Sequence, residues 1–296
     1  MTIEEGNSLL TTKYVTSEDR ANILDRCINN SNPKVTFLIL LILALGNAAD
    51  AVEIMCIGFI MTEIEDITQS DKEFLSAAVF LGMLVGGILG GYLSDLRGRK
   101  PCLLSSLLLN SVAGFVSAFS PDVNSLITLR VIGGIGIGAS VPIVFSLGAE
   151  MFPSAVRGKY LSVIASFWMV GAIYTSLFAW LMLGDDLNGD KIMPSYVGWR
   201  SFAVVASIPA ISTFILTLNY LPESPRYLVN KGKAAKASEI LCHMTGGVVI
   251  DPSSLTMSES EQAMVQVDLK SATLSLLSPD LRRYRLILLL IHASLL

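Results

Sequence analysis

The sequence predicts an all-α membrane protein, and three observations predict it: six long apolar runs, a shortage of charge, and a lopsided distribution of Lys and Arg. Of 296 residues, 52% are hydrophobic and only 16% charged, and the mean hydropathy is +0.60. Soluble domains carry about a quarter charged residues, so this chain is depleted where water would demand them. The runs lie near 35–60, 74–93, 101–119, 126–147, 161–183 and 201–220. A bilayer crossing takes roughly 20 helical residues, which these runs supply. Lipid offers backbone N–H and C=O groups no partner, so each crossing must be a helix.

The first run follows a polar segment, 1–34, that contains Glu4, Glu5, Glu18, Asp19 and Asp25. A secretory signal begins basic and turns apolar quickly, so this is not one, and the first run is expected to stay as a span. Among the 21 Lys and Arg, all but Lys72, Lys191, Arg130 and Arg200 fall on one side of the predicted membrane. The positive-inside rule makes that side cytoplasmic and puts both chain ends there. Arg130 and Arg200 are expected at the outer ends of their helices. After the bundle at 35–220 comes a polar stretch, 221–285, expected as a cytoplasmic loop with a short helix around 234–244. At 286–296 a further apolar run begins. Eleven helical residues reach about 16 Å, half of a hydrocarbon core, so the expectation is an incomplete, truncated seventh span.

A net charge of −4 argues against nucleic acid as a partner, because such proteins present a basic face. Four scattered cysteines form no disulfide framework and no metal-ligand spacing, and are expected as free thiols. No nucleophile–base set emerges, so the chain is not expected to be an enzyme, and no cofactor or metal is expected. The expected partners are the bilayer, a small solute, and either a missing carboxy-terminal half or a partner half. His243 and His292 are isolated and carry no assigned chemistry. The stretch from Glu5 to Leu10 fits an acidic dileucine sorting signal. Asn29 heads a glycosylation acceptor whose cytoplasmic placement argues against its use.

Span one carries Asp50 and Glu53, three residues apart and therefore on one helix face. A carboxylate near a membrane centre costs about 2.5–3.5 kcal/mol, so the pair should face a cavity and take up a proton or a cation. The alternative is that both lie hydrated near the outer headgroups. Between spans two and three the loop at 91–100 places Asp95 at a helix end, with Arg97, Arg99 and Lys100 anchoring it and Gly98 turning it. Gly82, Gly86 and Gly90 in span two are spaced for close helix packing, as are Gly134 and Gly138 in span four. The glycine-rich stretch 130–138 lies inside an apolar run, which excludes a dinucleotide fingerprint.

The loop at 91–100 resembles the signature loop of the major facilitator superfamily, except that Leu96 stands where that family usually has a basic residue. Glu150 and Arg157 after span four, and Glu223 and Arg226 after span six, resemble signatures of sugar porters and organic cation transporters. The resemblance implies that these acidic and basic residues pair with one another when the cytoplasmic side is closed; helix capping is the alternative. Residues 48–53, 140–146 and 167–171, with Cys102 and Asn110, are most similar to the synaptic vesicle glycoprotein 2 family. That resemblance implies that Asp50, Glu53 and Trp168 line a central cavity, although Trp168 fits lipid or core packing equally well. The implied fold is the amino-terminal six-helix half of a major facilitator superfamily transporter, built as two related three-helix units. The implied function is secondary transport of a small polar or charged solute by alternating access, with proton coupling through the carboxylate pair left open. A vesicle-resident regulator of secretion on a transporter scaffold, or an inactive half, are the alternatives. The plasma membrane and a secretory or synaptic-like vesicle both fit as the location.

Overall fold

A computed structural model describes residues 17–64, 68–184, 195–248 and 250–256. The dileucine stretch and the run at 286–296 lie outside the described residues, as does the polar stretch beyond 256. The described residues are helical throughout, without a strand: α1 (Ser17–Asn29), α2 (Pro33–Glu63), α3 (Gln69–Arg97), α4 (Arg99–Ser117), α5 (Val123–Met151), α6 (Arg157–Leu183), α7 (Ser195–Tyr220), α8 (Pro225–Asn230) and α9 (Ala234–Thr245). A 3₁₀ turn at Pro252–Leu255 follows. Six helices, α2 to α7, are long and apolar enough to cross a membrane.

Most of these helices run beyond the apolar stretches that announce them, although α4 stops at Ser117, inside the run at 101–119. The run at 74–93 sits inside α3, which starts behind a capping box of Thr68 with Asp71 and ends with Arg97 in its last turn. Both ends are polar, so hydropathy misses them, while capping and the helix dipole favour them. Asn32 caps α2 by accepting from the Lys34 N–H, with Pro33 at the first helical position.

The packing follows a two-fold pattern. The helix α3 packs along α5 as α6 packs along α2; α4 packs on α5 as α7 packs on α2; and α4 meets α7. Two three-helix units, α2–α4 and α5–α7, thus exchange their first helices' partners. Glycines set the closeness of α3 and α5. A Cβ at Gly86 would lie 2.8 Å from Ile135 Cα, and one at Gly134 3.2 Å from Gly82 Cα. The two backbones touch where side chains would keep them apart. Phe80, Leu84, Ile88, Ile173 and Trp180 are exposed on the outside, as expected where lipid rather than water is the solvent.

One end of the bundle carries the N-terminus of α2, the α3–α4 and α5–α6 turns, and the small helices. There Leu24, Ile28, Leu228, Leu241 and Leu255 bury a separate apolar cluster that ties α1, α8, α9 and the 3₁₀ turn together. This is the end rich in Lys and Arg, and we call it the basic end.

Candidate functional site

Two polar clusters stand out, one inside the bundle and one at the basic end. The inner cluster is centred on α2. Small residues make it possible: Ala48 and Ala51 receive Gly171 of α6 against the α2 backbone, and Gly136 of α5 lies against the backbone of Asn110 on α4. With four helices drawn together, Asp50 is 0%, Glu53 2%, Asn110 1% and Arg130 5% exposed. Asp50 accepts from Ser140 Oγ of α5 and, at 3.2 Å, from Asn110 Nδ2.

Glu53 has a different partner. Arg130 Nη1 donates to its Oε2 at 3.1 Å, and the second guanidinium nitrogen donates to Ser117 Oγ at 2.9 Å. Ser117 Oγ in turn donates a hydrogen bond to the Gly114 carbonyl at 2.6 Å. Gly114 also makes room for the acid, since a Cβ there would lie 2.8 Å from Glu53 Cδ. Asp50 and Glu53 therefore share a helix face but belong to separate hydrogen-bond sets. Both point into the packed interior between α2, α4 and α5. The alternative of hydrated headgroup positions does not hold, because neither touches solvent.

Arg130 corrects the sequence reading, which placed it at an outer helix end. It lies about two turns inside α5 and forms half of a buried ion pair. The signal was present: an arginine within an apolar run needs an acidic partner. Arg200 does sit near a helix start, where it donates to the carbonyls of Ala118 at 2.9 Å and Ser120 at 3.0 Å and so closes the end of α4. Trp168 is half-buried on α6, one turn from Gly171, and no hydrogen bond joins it to the carboxylates among the described residues.

At the basic end the hub is Arg99. Its guanidinium donates to Asp95, to Ser94 Oγ at 2.9 Å, and to Glu150 Oε1 at 3.1 and 3.2 Å. Glu223 accepts from the backbone N–H groups of Arg99 at 3.0 Å and Lys100 at 3.2 Å, capping α4 from another segment of the chain. Gly98 is required twice over: its φ is +117°, and a Cβ would lie 3.2 Å from Glu223 Cδ. Tyr227 donates to the Leu96 carbonyl at 2.9 Å. Burial, helped by the charge of Glu223, raises the Tyr227 phenol above its ordinary pKa and keeps it a donor.

The expected pairing of Glu150, Arg157, Glu223 and Arg226 with one another is corrected here. Glu150 takes Arg99, Glu223 takes backbone, and Arg226 pairs with Asp25 of α1. Arg157 has a buried Nε without a hydrogen bond, and Arg97 is exposed. The physical reason is position. Arg99 opens α4 between the ends of α3 and α5, whereas Arg157 begins α6 only after the turn that follows Met151. All four cysteines are free, and no group of three metal-binding side chains occurs among the described residues.

With this geometry in view, the relatives fall into place. Residues 33–295 match the family described as "Sugar (and other) transporter". Synaptic vesicle glycoprotein 2A of Pongo abelii is 35% identical over 224 residues, covering 74% of this chain and 30% of that protein. The Homo sapiens 2A protein is 37% identical over 205 residues, covering 68% of this chain and 28% of that protein. The chain thus spans under a third of the length of these relatives. Among solved structures, the partially occluded inward-open xylose transporter XylE from E. coli superposes with TM-score 0.61 at 23% identity, covering 81% of this chain and 59% of that one. The same proton:xylose symporter bound to 6-bromo-6-deoxy-D-glucose gives TM-score 0.65 at 22% identity, covering 81% and 52%. At such identities these structures establish the fold. A six-helix bundle with paired three-helix units, a signature loop at its basic end and a family match across most of its length leads to one conclusion: this multi-pass membrane chain belongs to the sugar (and other) transporter family of the major facilitator superfamily.

Proposed function

We propose that this chain forms one half of a secondary transporter for a small polar or charged solute, working by alternating access with a proton as coupling ion. The observation that carries the reading is the Glu53–Arg130 ion pair, fully enclosed among membrane helices. A buried pair of this kind gives little stability, because desolvation offsets most of the attraction. Intramembrane ionisable residues mark ion and substrate pathways. A proton on Glu53 cancels its charge, loosens its hold on Arg130, and lets α2 and α5 shift. Arg99 with Asp95 and Glu150, and Glu223 on the α4 N-terminus, form the gate at the basic end, which on the positive-inside rule faces the cytoplasm together with both chain ends. Midplane lining by Trp168 and a second half of the fold, supplied by the same polypeptide or a partner, complete the solute site.

The test is uptake by the purified protein in vesicles carrying an internal pH dye, with D-glucose and tetraethylammonium as probes of the sugar and organic-cation classes. Solute-dependent proton entry that Asp50→Asn with Glu53→Gln abolishes is the expected result. Proton entry unchanged in that double variant would refute coupling through this site. The synaptic vesicle glycoprotein relatives favour a second reading, a vesicle-resident regulator of secretion that retains the scaffold. A secretion phenotype that persists in the flux-dead double variant would support it.

A further inference from the structure

Two oxygens in the inner cluster have no donor. Glu53 Oε1 and Asn110 Oδ1 are buried and unpartnered, and both residues line one small cavity with Gly114, Arg130, Ile57 and Val79. Leaving a buried acceptor unsatisfied costs about 1–3 kcal/mol, so two beside one cavity call for a shared donor. The cavity volume is about 10 Å³, the space of a single water molecule.

We infer that this cavity is a water site through which a proton reaches Glu53 Oε1, and that Asn110 is the positioning residue that holds the water. The inference rests on the proton-coupled reading above and deepens it. With Glu53 ionised, the water donates one hydrogen to Glu53 Oε1 and the other to Asn110 Oδ1. A hydronium in the same place gives one proton to Oε1, breaking its own O–H bond and becoming neutral water. Glu53 Oε1–H then donates to that water, which still donates to Asn110 Oδ1. Every acceptor is satisfied in both states, and Arg130 still faces Oε2, which is now a weaker, neutral acceptor that no longer cancels its charge.

The groups facing Glu53 fix the choice of occupant. Arg130 comes from α5, while Asp50 and Cys56 come from α2 itself. The helix α4 brings only the neutral Asn110, Gly114 and Ser117. A metal cation would meet Arg130 on the same carboxylate and find too few oxygens for a coordination shell. A neutral water meets neither obstacle, and a hydronium, although it too faces Arg130, needs no coordination shell and loses its charge on giving its proton to Glu53. Asn110 also donates to Asp50, so one amide serves both carboxylates of span one, Asp50 directly and Glu53 through the water. Perturbing it should alter both.

Difference infrared spectroscopy during a pH titration in lipid nanodiscs reads this directly. The protonated Glu53 appears as the carboxylic C=O band that Glu53→Gln removes. The expected result is a water O–H band that shifts in heavy-oxygen water, and that disappears in Asn110→Leu while the Glu53 C=O band moves to higher frequency. Asn110→Ser, which keeps an oxygen, should retain part of the water band. If Asn110→Leu does not fold, Asn110→Ser and the isotope shift in the unmutated protein decide the matter. A Glu53 band that responds neither to Asn110 substitution nor to the isotope would overturn the water site while leaving proton coupling standing. Absence of any band lost in Glu53→Gln would overturn both. Displacement of the water band by sodium ions would overturn the exclusion of a metal cation.

Discussion

The two polar clusters use the same chemistry in different solvents. In the inner one, Arg130 and Glu53 expose 6% and 3% of their side chains; at the basic end, Arg99 and Glu150 expose 15% and 20%, and Asp95 47%. Water and headgroups can replace a broken contact at the basic end. Inside, there is room for one water molecule at most. The inner cluster is therefore costly to break and suited to holding a proton, whereas the outer cluster is cheap to remake and suited to a gate that opens and closes.

Arg130→Met would expose this asymmetry most. It leaves Glu53 charged and unpaired in the interior, which should destabilise the protein by about 3–5 kcal/mol in denaturant unfolding from detergent. Adding Glu53→Gln should recover most of that loss, since no charge is then stranded. If the double variant is as unstable as the single one, the guanidinium acts by packing rather than by charge.

Gly86→Val tests whether the helix approach sets the inner cluster. A side chain there meets the Ile135 backbone, and overpacking of this kind costs about 1–3 kcal/mol. Because α5 carries both Arg130 and Ser140, displacing it should also impair proton uptake. Val at Gly91, where a Cβ meets nothing, should be nearly silent in both assays.

At the basic end Glu150→Gln removes the charge from one arm of the Arg99 hub while keeping an acceptor oxygen there. Asp95, Ser94 and water remain, so the expected loss of stability is about 1 kcal/mol and shrinks with added salt. The larger effect should be conformational: cysteines introduced along the basic-end mouth should become more reactive to a water-soluble thiol reagent. Unchanged reactivity would remove the hub from the gate.

Much of this was legible from sequence, for physical reasons. Lipid permits only helices, so hydropathy alone located α2 to α7, and Gly82, Gly86, Gly90, Gly134 and Gly138 declared a close crossing. Helix ends were less legible, since residues such as Thr68 and Arg97 lengthen helices without adding hydropathy. Asp50 and Glu53 could be placed on one face, but their partners could not, because Ser140 and Arg130 come from a helix 90 and 77 residues on and depend on its rotation. Glu223 as a cap on α4 was hidden for the same reason: it reaches across 124 residues to a backbone N–H that carries no sequence signal.

The smallest expected effect lies furthest from the membrane. Asp251 starts the 3₁₀ turn, accepting from the Ser253 N–H at 2.9 Å and from its hydroxyl at 2.7 Å. These bonds favour the charged carboxylate and lower its pKa below the ordinary 3.8. A depressed folded pKa means the cap contributes fully above the unfolded value and is lost as pH falls through the folded one. Asp251→Ala should therefore loosen the Leu255 contact with the α1–α9 cluster at neutral pH, measured as faster amide exchange in 250–256. The mutant and the parent should converge only below about pH 4. If they differ equally at every pH, the turn depends on the side chain's shape and not on its charge, and this outermost cluster would then differ in kind from the two polar clusters of the bundle.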